Sequence, residues 1–337
     1  MESIKSIMTS NLKINILTEL KDGPWGGGNQ FLKALKNNLL KKNIYEEKPA
    51  EADVIIFNSY QDLIPALKLK LKYPNKKFIH RLGPIFFYHR GKKWKFFDKL
   101  ILKVSSKISD FVIFQSDWSL KESKYLGFKN TPFSIIPNAP DEKIFFPAQN
   151  KKPKERIKLI SSSWSSNPNK GSDFFSFLDK NLNFSKFEFI LIGNFPEKFK
   201  NIEIIPPVNQ EKLAEYLRTG DIFISPVKFE SCSNSILEAL ACRVPVIALS
   251  SGGNADLVKI GGEMFENKNE LLEKIDLVSK NLPKYSADIK IKNLEEISEE
   301  YLKTIKKSFS FSPKKINAFF LLKIKILLKI FNIYRKI

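Results

Sequence analysis

Two glutamates make residues 229–251, FESCSNSILEALACRVPVIALSS, the stretch best suited to bind a polar ligand. Glu230 and Glu238 are separated by seven residues, and each carboxylate can accept hydrogen bonds from the hydroxyls of a sugar or a ribose. Two glutamates at this spacing also arise by chance, with Glu230 solvated and Glu238 on a helix surface. The apolar residues around Glu238 favour a functional role.

A helix start lies between these glutamates. Ser233 is a good N-cap candidate for a helix that opens near Asn234. The backbone N–H groups of Ser233, Asn234 and Ser235 would then point out of the positively polarised helix end, which suits a diphosphate.

A glycine-rich segment occurs near the start of the chain. Gly26, Gly27 and Gly28 follow the first predicted strand, and glycines allow the backbone to approach a ligand closely. They do not match G-x-G-x-x-G, so no nicotinamide or flavin site is predicted. The alternative is a flexible surface loop.

Histidine and cysteine, which often serve in acid–base catalysis or metal binding, are scarce in this chain. His80 and His89 are the only histidines, and His80 ends a predicted strand, where it is either functional or simply hydrogen-bonded near the core. Cys232 and Cys242 are the only cysteines, and they form neither a metal-binding pattern nor a disulfide framework. No metal site is therefore predicted.

The elements that position these residues alternate between strands and helices. Strands are predicted at Lys13–Leu20, Asp53–Tyr60, Lys76–Leu82, Asp110–Ser116, Phe133–Asn138, Ile157–Trp164, Phe187–Gly193, Ile202–Pro206, Asp221–Val227 and Pro245–Ser250. Helices are predicted at Asn29–Lys42, Gln61–Tyr73, Lys92–Lys107, Asp117–Leu126, Lys170–Leu182, Gln210–Thr219, Ser235–Cys242, Lys268–Asn281 and Ile291–Lys307. This βαβ order predicts parallel sheets with helices on both faces.

A polar, proline-containing linker at Pro147–Arg156 divides the alternation. We expect one α/β domain at residues 1–150, a second at 151–285, and a helix at 286–308 that packs back toward the first domain. Two doubly wound, Rossmann-like domains in tandem leave a cleft at the carboxyl ends of their strands, where such sheets bind ligands.

The net charge of +20 is unevenly distributed, because the last 37 residues contain ten basic and no acidic side chains. A basic amphipathic helix is predicted in the tail, residues 309–337. Its wheel places these residues opposite most of the lysines: Phe319, Phe320, Leu327, Ile330, Phe331 and Tyr334. Such a helix either lies on an acidic membrane or packs on the first domain. No nucleic-acid motif is found, so nucleic acid is not an expected partner.

No signal peptide and no transmembrane segment are predicted, because residues 1–20 lack a long apolar core and charges interrupt every window of about 18 residues. A cytoplasmic protein, or one peripheral on the inner face of the cell membrane, is expected.

The order of these motifs resembles that of retaining glycosyltransferases with the GT-B fold. These enzymes carry an E-x7-E donor motif and are of the glycosyltransferase family 4, or group 1, type. The resemblance covers residues 11–307. It is carried by Gly26-Gly27-Gly28, the strand ending in His80, IIPNAPDEKIFFP, the strand-loop-KG element at Ile160–Gly171, Glu230 with Glu238, and SSGGNADLV at Ser250–Val258.

The resemblance implies a role for each matching residue. Glu238 would hold the ribose, and Glu230 would contact the donor sugar. Lys170 would neutralise the diphosphate, although a plain turn at Lys170-Gly171 is the alternative. His80 would lie beside the donor sugar and the acceptor.

The resemblance also implies positions for two backbone segments relative to the bound donor. Residues 233–235 would hold the sugar and diphosphate, and residues 26–28 would lie near the acceptor and the donor phosphates.

Two positions depart from the family pattern. An arginine is usual five or six residues before the lysine, where this chain has Trp164 and Ser165. The hydroxyls of Ser163, Ser165 or Ser166 would then help Lys170 to hold the diphosphate, or donor binding is weakened. Arg243 stands where glycine is common and is a candidate for the missing charge.

The implied reaction transfers a sugar from a nucleotide-sugar donor to a glycan or lipid-linked acceptor with retention at the anomeric carbon. Neither a metal nor another cofactor is expected. The implied setting is polysaccharide assembly at the cell envelope. The alternative is a catalytically silent protein that binds a sugar nucleotide or glycan on the same scaffold.

Overall fold

A computed structural model describes residues 12–21, 26–149, 155–165, 167–259 and 261–334. Residues 150–154 of the predicted linker, Ser166 and the last three residues therefore lie outside the described part. The chain divides into two compact units. The described residues of Met1–Leu20, Leu32–Pro137 and Glu295–Ile337 form the first unit, and those of Lys21–Phe31 and Asn138–Leu294 form the second.

Eleven strands are described. They are β1 (Ile14–Ile16), β2 (Val54–Asn58), β3 (Lys77–Arg81), β4 (Phe111–Phe114), β5 (Phe133–Ile135), β6 (Ile157–Ser163), β7 (Phe187–Gly193), β8 (Glu203–Ile205), β9 (Ile222–Ser225), β10 (Val246–Leu249) and β11 (Gly262–Phe265).

The described helices are α1 (Gly27–Lys41), α2 (Leu63–Lys72), α3 (Phe86–Arg90), α4 (Trp94–Ile108), α5 (Asp117–Tyr125), α6 (Ser172–Asn181), α7 (Gln210–Thr219), α8 (Asn234–Ala241), α9 (Asn254–Val258), α10 (Lys268–Lys280), α11 (Leu282–Asp288), α12 (Leu294–Ser308) and α13 (Ala318–Tyr334). A 3-10 turn spans Pro168–Lys170.

Both sheets are parallel, as the alternating pattern predicts. The first has the order β1-β2-β3-β4-β5, and the second has the order β11-β10-β9-β6-β7-β8. In the second sheet the chain order reverses between β6 and β9, which pair directly with Ile160 opposite Phe223. Ligands of such sheets bind outside the carboxyl ends of the strands at this reversal.

Helices cover both faces of the second sheet. Buried residues of α7 and α8 form one apolar cluster with alternate residues of the strands, and buried residues of α6 and α10 form the other. This arrangement is the doubly wound α/β fold expected for the second domain. The described strands of the first sheet instead follow chain order, β1-β2-β3-β4-β5, without the reversal that a second doubly wound domain requires.

Some short elements were missed by the sequence patterns. The edge strand β11 has the sequence GEMF, and only its last residue is buried, so it lacks the apolar run that marks an interior strand. Helices α3 and α9 have five residues each, which is too short to show a helical period.

A buried ion pair lies in the first unit, at the amino-terminal edge of its sheet. Lys70 and Asp110 are 3.2 Å apart, and neither side chain is exposed. The Asp110 carboxylate also accepts hydrogen bonds from the backbone N–H groups of Phe78 and Lys314, both at 2.8 Å. Desolvation lowers the pKa of Lys70 despite its partner.

We expect Asp110→Ala to reduce the free energy of unfolding by about 3–5 kcal/mol, because it leaves a buried lysine without its counter-charge. Urea denaturation measures this loss. Glu51→Ala removes the exposed Lys48–Glu51 pair, at 3.0 Å, and should leave the free energy of unfolding almost unchanged, because solvent screens such a pair. Equal losses in the two variants would contradict the prediction.

Candidate functional site

Lys170 and Glu230 lie in the loops that follow β6 and β9, at the reversal of strand order in the second sheet. Lys170 ends the 3-10 turn, and Gly171 follows in the left-handed conformation with a φ of 87°. A Cβ at Gly171 would lie 2.4 Å from Cγ of Pro226, so both the conformation and the space require glycine.

An ion pair joins these two loops. Lys170 Nζ contacts Glu230 Oε1, and each side chain is about one quarter exposed, at 26% and 24%. The structure therefore brings together two residues that are 60 positions apart in the sequence and that the resemblance assigns to diphosphate and sugar.

The turn that carries Glu230 is held by the segment after β10. Phe229 has a φ of 61°, and its N–H donates to Ser251 Oγ at 3.1 Å. The N–H of Gly253 donates to the Glu230 carbonyl at 2.7 Å. A Cβ at Gly252 would lie 2.5 Å from that carbonyl oxygen, so glycine is needed for this close approach.

Ser233 is the N-cap residue of α8, as predicted from the sequence, but its side chain makes no capping hydrogen bond. Its Oγ lies 3.1 Å from Oγ of Ser235 instead. The N–H groups of a first helical turn have no acceptor within the helix. The residues named from the sequence, Ser233, Asn234 and Ser235, thus form a helix start able to bind an anion.

The glycine-rich segment meets this helix start. A Cβ at Gly27 would lie 2.0 Å from Nδ2 of Asn234, whereas nothing lies within 4 Å of a Cβ at Gly26 or Gly28. Asn138 Nδ2 donates to Asn234 Oδ1 at 2.9 Å, which fixes the orientation of the Asn234 amide.

Asn138 was not identified from the sequence as a site residue. It lies within the motif IIPNAPDEKIFFP, so the only sequence signal was its position in that motif. Its backbone N–H also contacts Cys232 Sγ at 3.4 Å.

Glu238 lies one turn inside α8 and is half-buried. Desolvation raises the pKa of its carboxyl group to about 8, with no compensating hydrogen bond from the described residues. When this group is ionised, its carboxylate is an acceptor to which no described side chain donates, and hydroxyl groups of a ligand can supply the missing hydrogen bonds.

The predicted serines are engaged locally. Ser163 Oγ donates to the Ser165 carbonyl at 2.9 Å and accepts from the Ser165 N–H at 3.3 Å. Ser165 is exposed, and its Oγ accepts from the Asn167 N–H at 3.2 Å. These bonds shape the turn before Lys170.

Arg243 does not replace the missing arginine. It follows the carboxyl end of α8, whereas the anion site is at the amino end, and its guanidinium donates to the carbonyls of Ser286 and Ala287 at 3.2 and 3.3 Å. A helix of eight residues separates the two ends by about 12 Å.

His80 belongs to the first unit and is fully buried in β3. Its ring stacks on Phe57 at 4.2 Å, and Nε2 lies 3.0 Å from the Ser59 carbonyl oxygen. Because a carbonyl only accepts, Nε2 carries the proton and Nδ1 is left as an acceptor. Burial lowers the pKa of His80 to about 3, so the ring is neutral at neutral pH.

Comparison with known families agrees with this architecture. Residues 163–281 match the family model described as glycosyl transferases group 1. A D-inositol 3-phosphate glycosyltransferase of Geodermatophilus obscurus is 40% identical over 60 residues, which are 18% of this chain and 13% of that protein. D-inositol 3-phosphate glycosyltransferase 2 of Catenulispora acidiphila is 38% identical over 60 residues, which are 18% of this chain and 14% of that protein.

Solved structures resemble most of the chain. Sucrose-phosphate synthase of Thermosynechococcus elongatus superposes with a TM-score of 0.72 at 15% identity, covering 89% of this chain and all of that one. HepE of Anabaena, solved with UDP and glucose, gives 0.70 at 15% identity, covering 88% of this chain and all of its own. The fold is therefore GT-B.

We expect Gly27→Ala to destabilise the protein by about 1–3 kcal/mol, because the added methyl group overlaps the Asn234 amide. Gly28→Ala is the matched control. It adds the same methyl group one residue later into open space and should be neutral or slightly stabilising. Thermal unfolding of both variants measures the difference, and equal melting temperatures would argue against the contact.

Glu238 also predicts a pH dependence of stability. Its pKa of about 8 in the folded state lies above the ordinary glutamate pKa of 4.5, so the native state holds this proton more tightly than the unfolded state. Stability contributed by the protonated group is therefore lost as pH rises from about 4.5 to about 8.

This loss is absent from Glu238→Gln, so the variant gains stability relative to the wild type across that window. Urea unfolding at a series of pH values measures the gain. Glu273→Gln, at an exposed glutamate of α10, should show no such trend, and a flat difference for Glu238→Gln would refute the assignment.

Proposed function

We propose that this chain transfers a sugar from a nucleotide-sugar donor to a glycan or lipid-linked acceptor with retention of the anomeric configuration. The match of residues 163–281 to the family model described as glycosyl transferases group 1 supports this proposal. The observation that carries the proposal is the combination of a helix start, an adjacent lysine and a carboxylate without donors, all at the strand reversal of one sheet.

Glu238 is suited to the nucleotide ribose. Two neighbouring ribose hydroxyls can donate to its two carboxylate oxygens, and these bonds would favour the ionised form that the protein alone disfavours. Glu230, on the turn just before α8, is positioned to accept hydrogen bonds from hydroxyls of the donor sugar.

The start of α8 and Lys170 are suited to the diphosphate. Negative charge develops on the leaving nucleoside diphosphate as the bond from the anomeric carbon to the phosphate oxygen breaks. Backbone N–H groups and a lysine ammonium stabilise that charge. These protein charges support a reaction that requires no metal ion.

Retention follows if the acceptor hydroxyl attacks on the face that the phosphate leaves. The new bond forms between the acceptor oxygen and the anomeric carbon, and the acceptor proton passes to the departing phosphate oxygen. The protein then needs no carboxylate pair of the kind that glycosidases use.

His80 remains a candidate catalytic residue. Its Nδ1 is buried and has no partner among the described residues. Because the His80 side chain is not exposed, a sugar hydroxyl reaches this acceptor only after the surrounding side chains move. Its low pKa excludes a role as the imidazolium acid.

The similar proteins support a nucleoside diphosphate sugar as the donor and a hydroxylated compound as the acceptor. HepE was solved with UDP and glucose, which favours a nucleoside diphosphate sugar. The two partial relatives are D-inositol 3-phosphate glycosyltransferases, which is compatible with a hydroxylated acceptor. We propose that the protein acts in the cytoplasm or at the inner face of the cell membrane, in polysaccharide assembly.

A catalytically silent binding protein is the second candidate. It is favoured by Trp164 and Ser165, which occupy the positions where an arginine would assist the lysine. Trp164 packs against an apolar cluster of the second unit, and the exposed Ser165 carries no charge.

Thermal stabilisation by nucleoside diphosphates and their sugars tests donor binding. We expect one nucleotide to raise the melting temperature, and we expect Glu238→Ala to weaken its affinity by roughly 10- to 100-fold through loss of hydrogen bonds to a charged group. Glu273→Ala is the control and should retain the full shift. No shift with any nucleotide would exclude the proposed donor site.

Turnover then separates the two candidates. Release of nucleoside diphosphate in the presence of acceptors and EDTA, with a product of the same anomeric configuration as the donor, is expected for the enzyme. Donor binding without turnover across the acceptor panel would support the silent protein.

A further inference from the structure

Helix α13 packs on the first unit by one side. Ile324 is fully buried, and Phe331 is 2% exposed. The Phe331 ring stacks on Phe97 with a centroid distance of 4.7 Å and meets Trp94 edge-on at 5.1 Å. This side is thereby part of the apolar core of the first unit.

The outward side of the same helix is also apolar. We call the five exposed large apolar residues of α13 the α13 stripe; they are Phe319 at 72% exposure, Leu322 at 55%, Ile326 at 48%, Ile330 at 53% and Ile333 at 64%. Their spacings of three and four residues align them along one helix face, over about 21 Å. A continuous apolar ridge of this kind, exposed to solvent, indicates an interaction site.

Lysines border the α13 stripe on both sides. At about 100° per residue, Lys323 lies along one border, and Lys325 and Lys329 lie along the other. All three are exposed, and the sequence contains no acidic residue from Tyr301 to the last residue, Ile337. The surface therefore combines a central apolar ridge with positive charge on both flanks.

The arrangement corrects the helical wheel drawn from the sequence. That wheel grouped Phe319 and Ile330 with Phe320, Leu327 and Phe331 as one apolar side. In the structure the last three face the first unit, whereas Phe319 and Ile330 point away from it. The side chain of Tyr334 lies outside the described residues.

We infer that the α13 stripe is a docking surface for a lipid bilayer that contains anionic headgroups. A helix with an apolar face and flanking lysines lies in the plane of the interface, with its apolar side chains in the acyl boundary. The lysines extend to the anionic headgroups. No helix of the described residues is long and apolar enough to cross a bilayer.

Charge favours a lipid surface over a second copy of this chain. If two stripes packed together, the lysines on their borders would be brought close to one another, with no acidic side chain of α13 to compensate. An anionic bilayer supplies the missing negative charge. The inference rests on the proposed function only in giving the docking a purpose, which is access to a lipid-linked acceptor.

Co-sedimentation of the full chain with vesicles tests this surface. We expect binding to phosphatidylcholine vesicles with about 30% phosphatidylglycerol, and far weaker binding to phosphatidylcholine alone. Ile326→Ser with Ile330→Ser should weaken binding at least about tenfold. Lys325→Gln with Lys329→Gln should weaken it by about fivefold per lysine at low salt.

Leu277→Ser is the matched control, because Leu277 is an exposed apolar residue of α10, at 41% exposure, in the second unit. Its vesicle binding should equal that of the wild type. Melting temperatures of all variants should stay close to the wild-type value, since the substituted side chains are exposed.

The inference is overturned if the wild type does not bind anionic vesicles or if the stripe variant binds as well as the wild type. It is also overturned if ultracentrifugation shows a wild-type dimer that the stripe variant cannot form, because the occupant is then a second copy. Nucleotide-induced stabilisation of the same preparations reports separately on the donor site, so either proposal can fail while the other stands.

Discussion

The direct pairing of β6 with β9 is the constraint on which the candidate site depends. These strands are not consecutive, so the chain leaves the sheet in opposite directions after each of them. The loops that follow therefore face the same space at one edge of the sheet. Lys170 and Glu230 are in these two loops, and their ion pair links the loops across the reversal. Gly220, packed against Ile160 just before β9, helps to keep the strands close.

Glycine is required at three positions around this edge. Gly171 needs both a positive φ and room beside Pro226. At Gly252 a side chain would collide with the backbone of Glu230, and at Gly27 it would collide with the amide of Asn234. Backbone segments distant in sequence thereby approach the start of α8 without an intervening side chain.

The extent to which the sequence predicts the site depends on the range of the interactions. Ser233 is recognisable as an N-cap because the signal is local, and the strands around it are recognisable because they are apolar and buried. The Lys170–Glu230 pair depends on which strands are neighbours, which no local pattern encodes. The contact of Asn138 with Asn234 was missed for the same reason. The role of Arg243 also could not be predicted from the sequence. Only the structure shows that its guanidinium binds carbonyls of α11, beyond the carboxyl end of α8.

The tail shows how packing changes the meaning of an amphipathic pattern. The α13 sequence is apolar on two sides, and a wheel alone does not reveal which side the protein covers. The segment before the helix settles this, because it is anchored to the first unit. Lys77 donates to the carbonyl of Phe311, and Lys314 binds Asp110 through its N–H and Ser106 and Thr131 through its ammonium.

The contacts of Lys77 and Lys314 fix the direction in which the chain enters α13, and they bury two lysine side chains. Desolvation lowers the pKa of both Lys77 and Lys314, and Asp110 is the carboxylate that offsets this cost. Because α13 begins four residues after Lys314 and is packed through Phe331, the α13 stripe has a fixed orientation on the first unit. If the α13 stripe docks on a bilayer as inferred, a surface held rigidly in this way aligns the unit to which it is attached. An amphipathic helix on a flexible tether would only keep that unit near the bilayer.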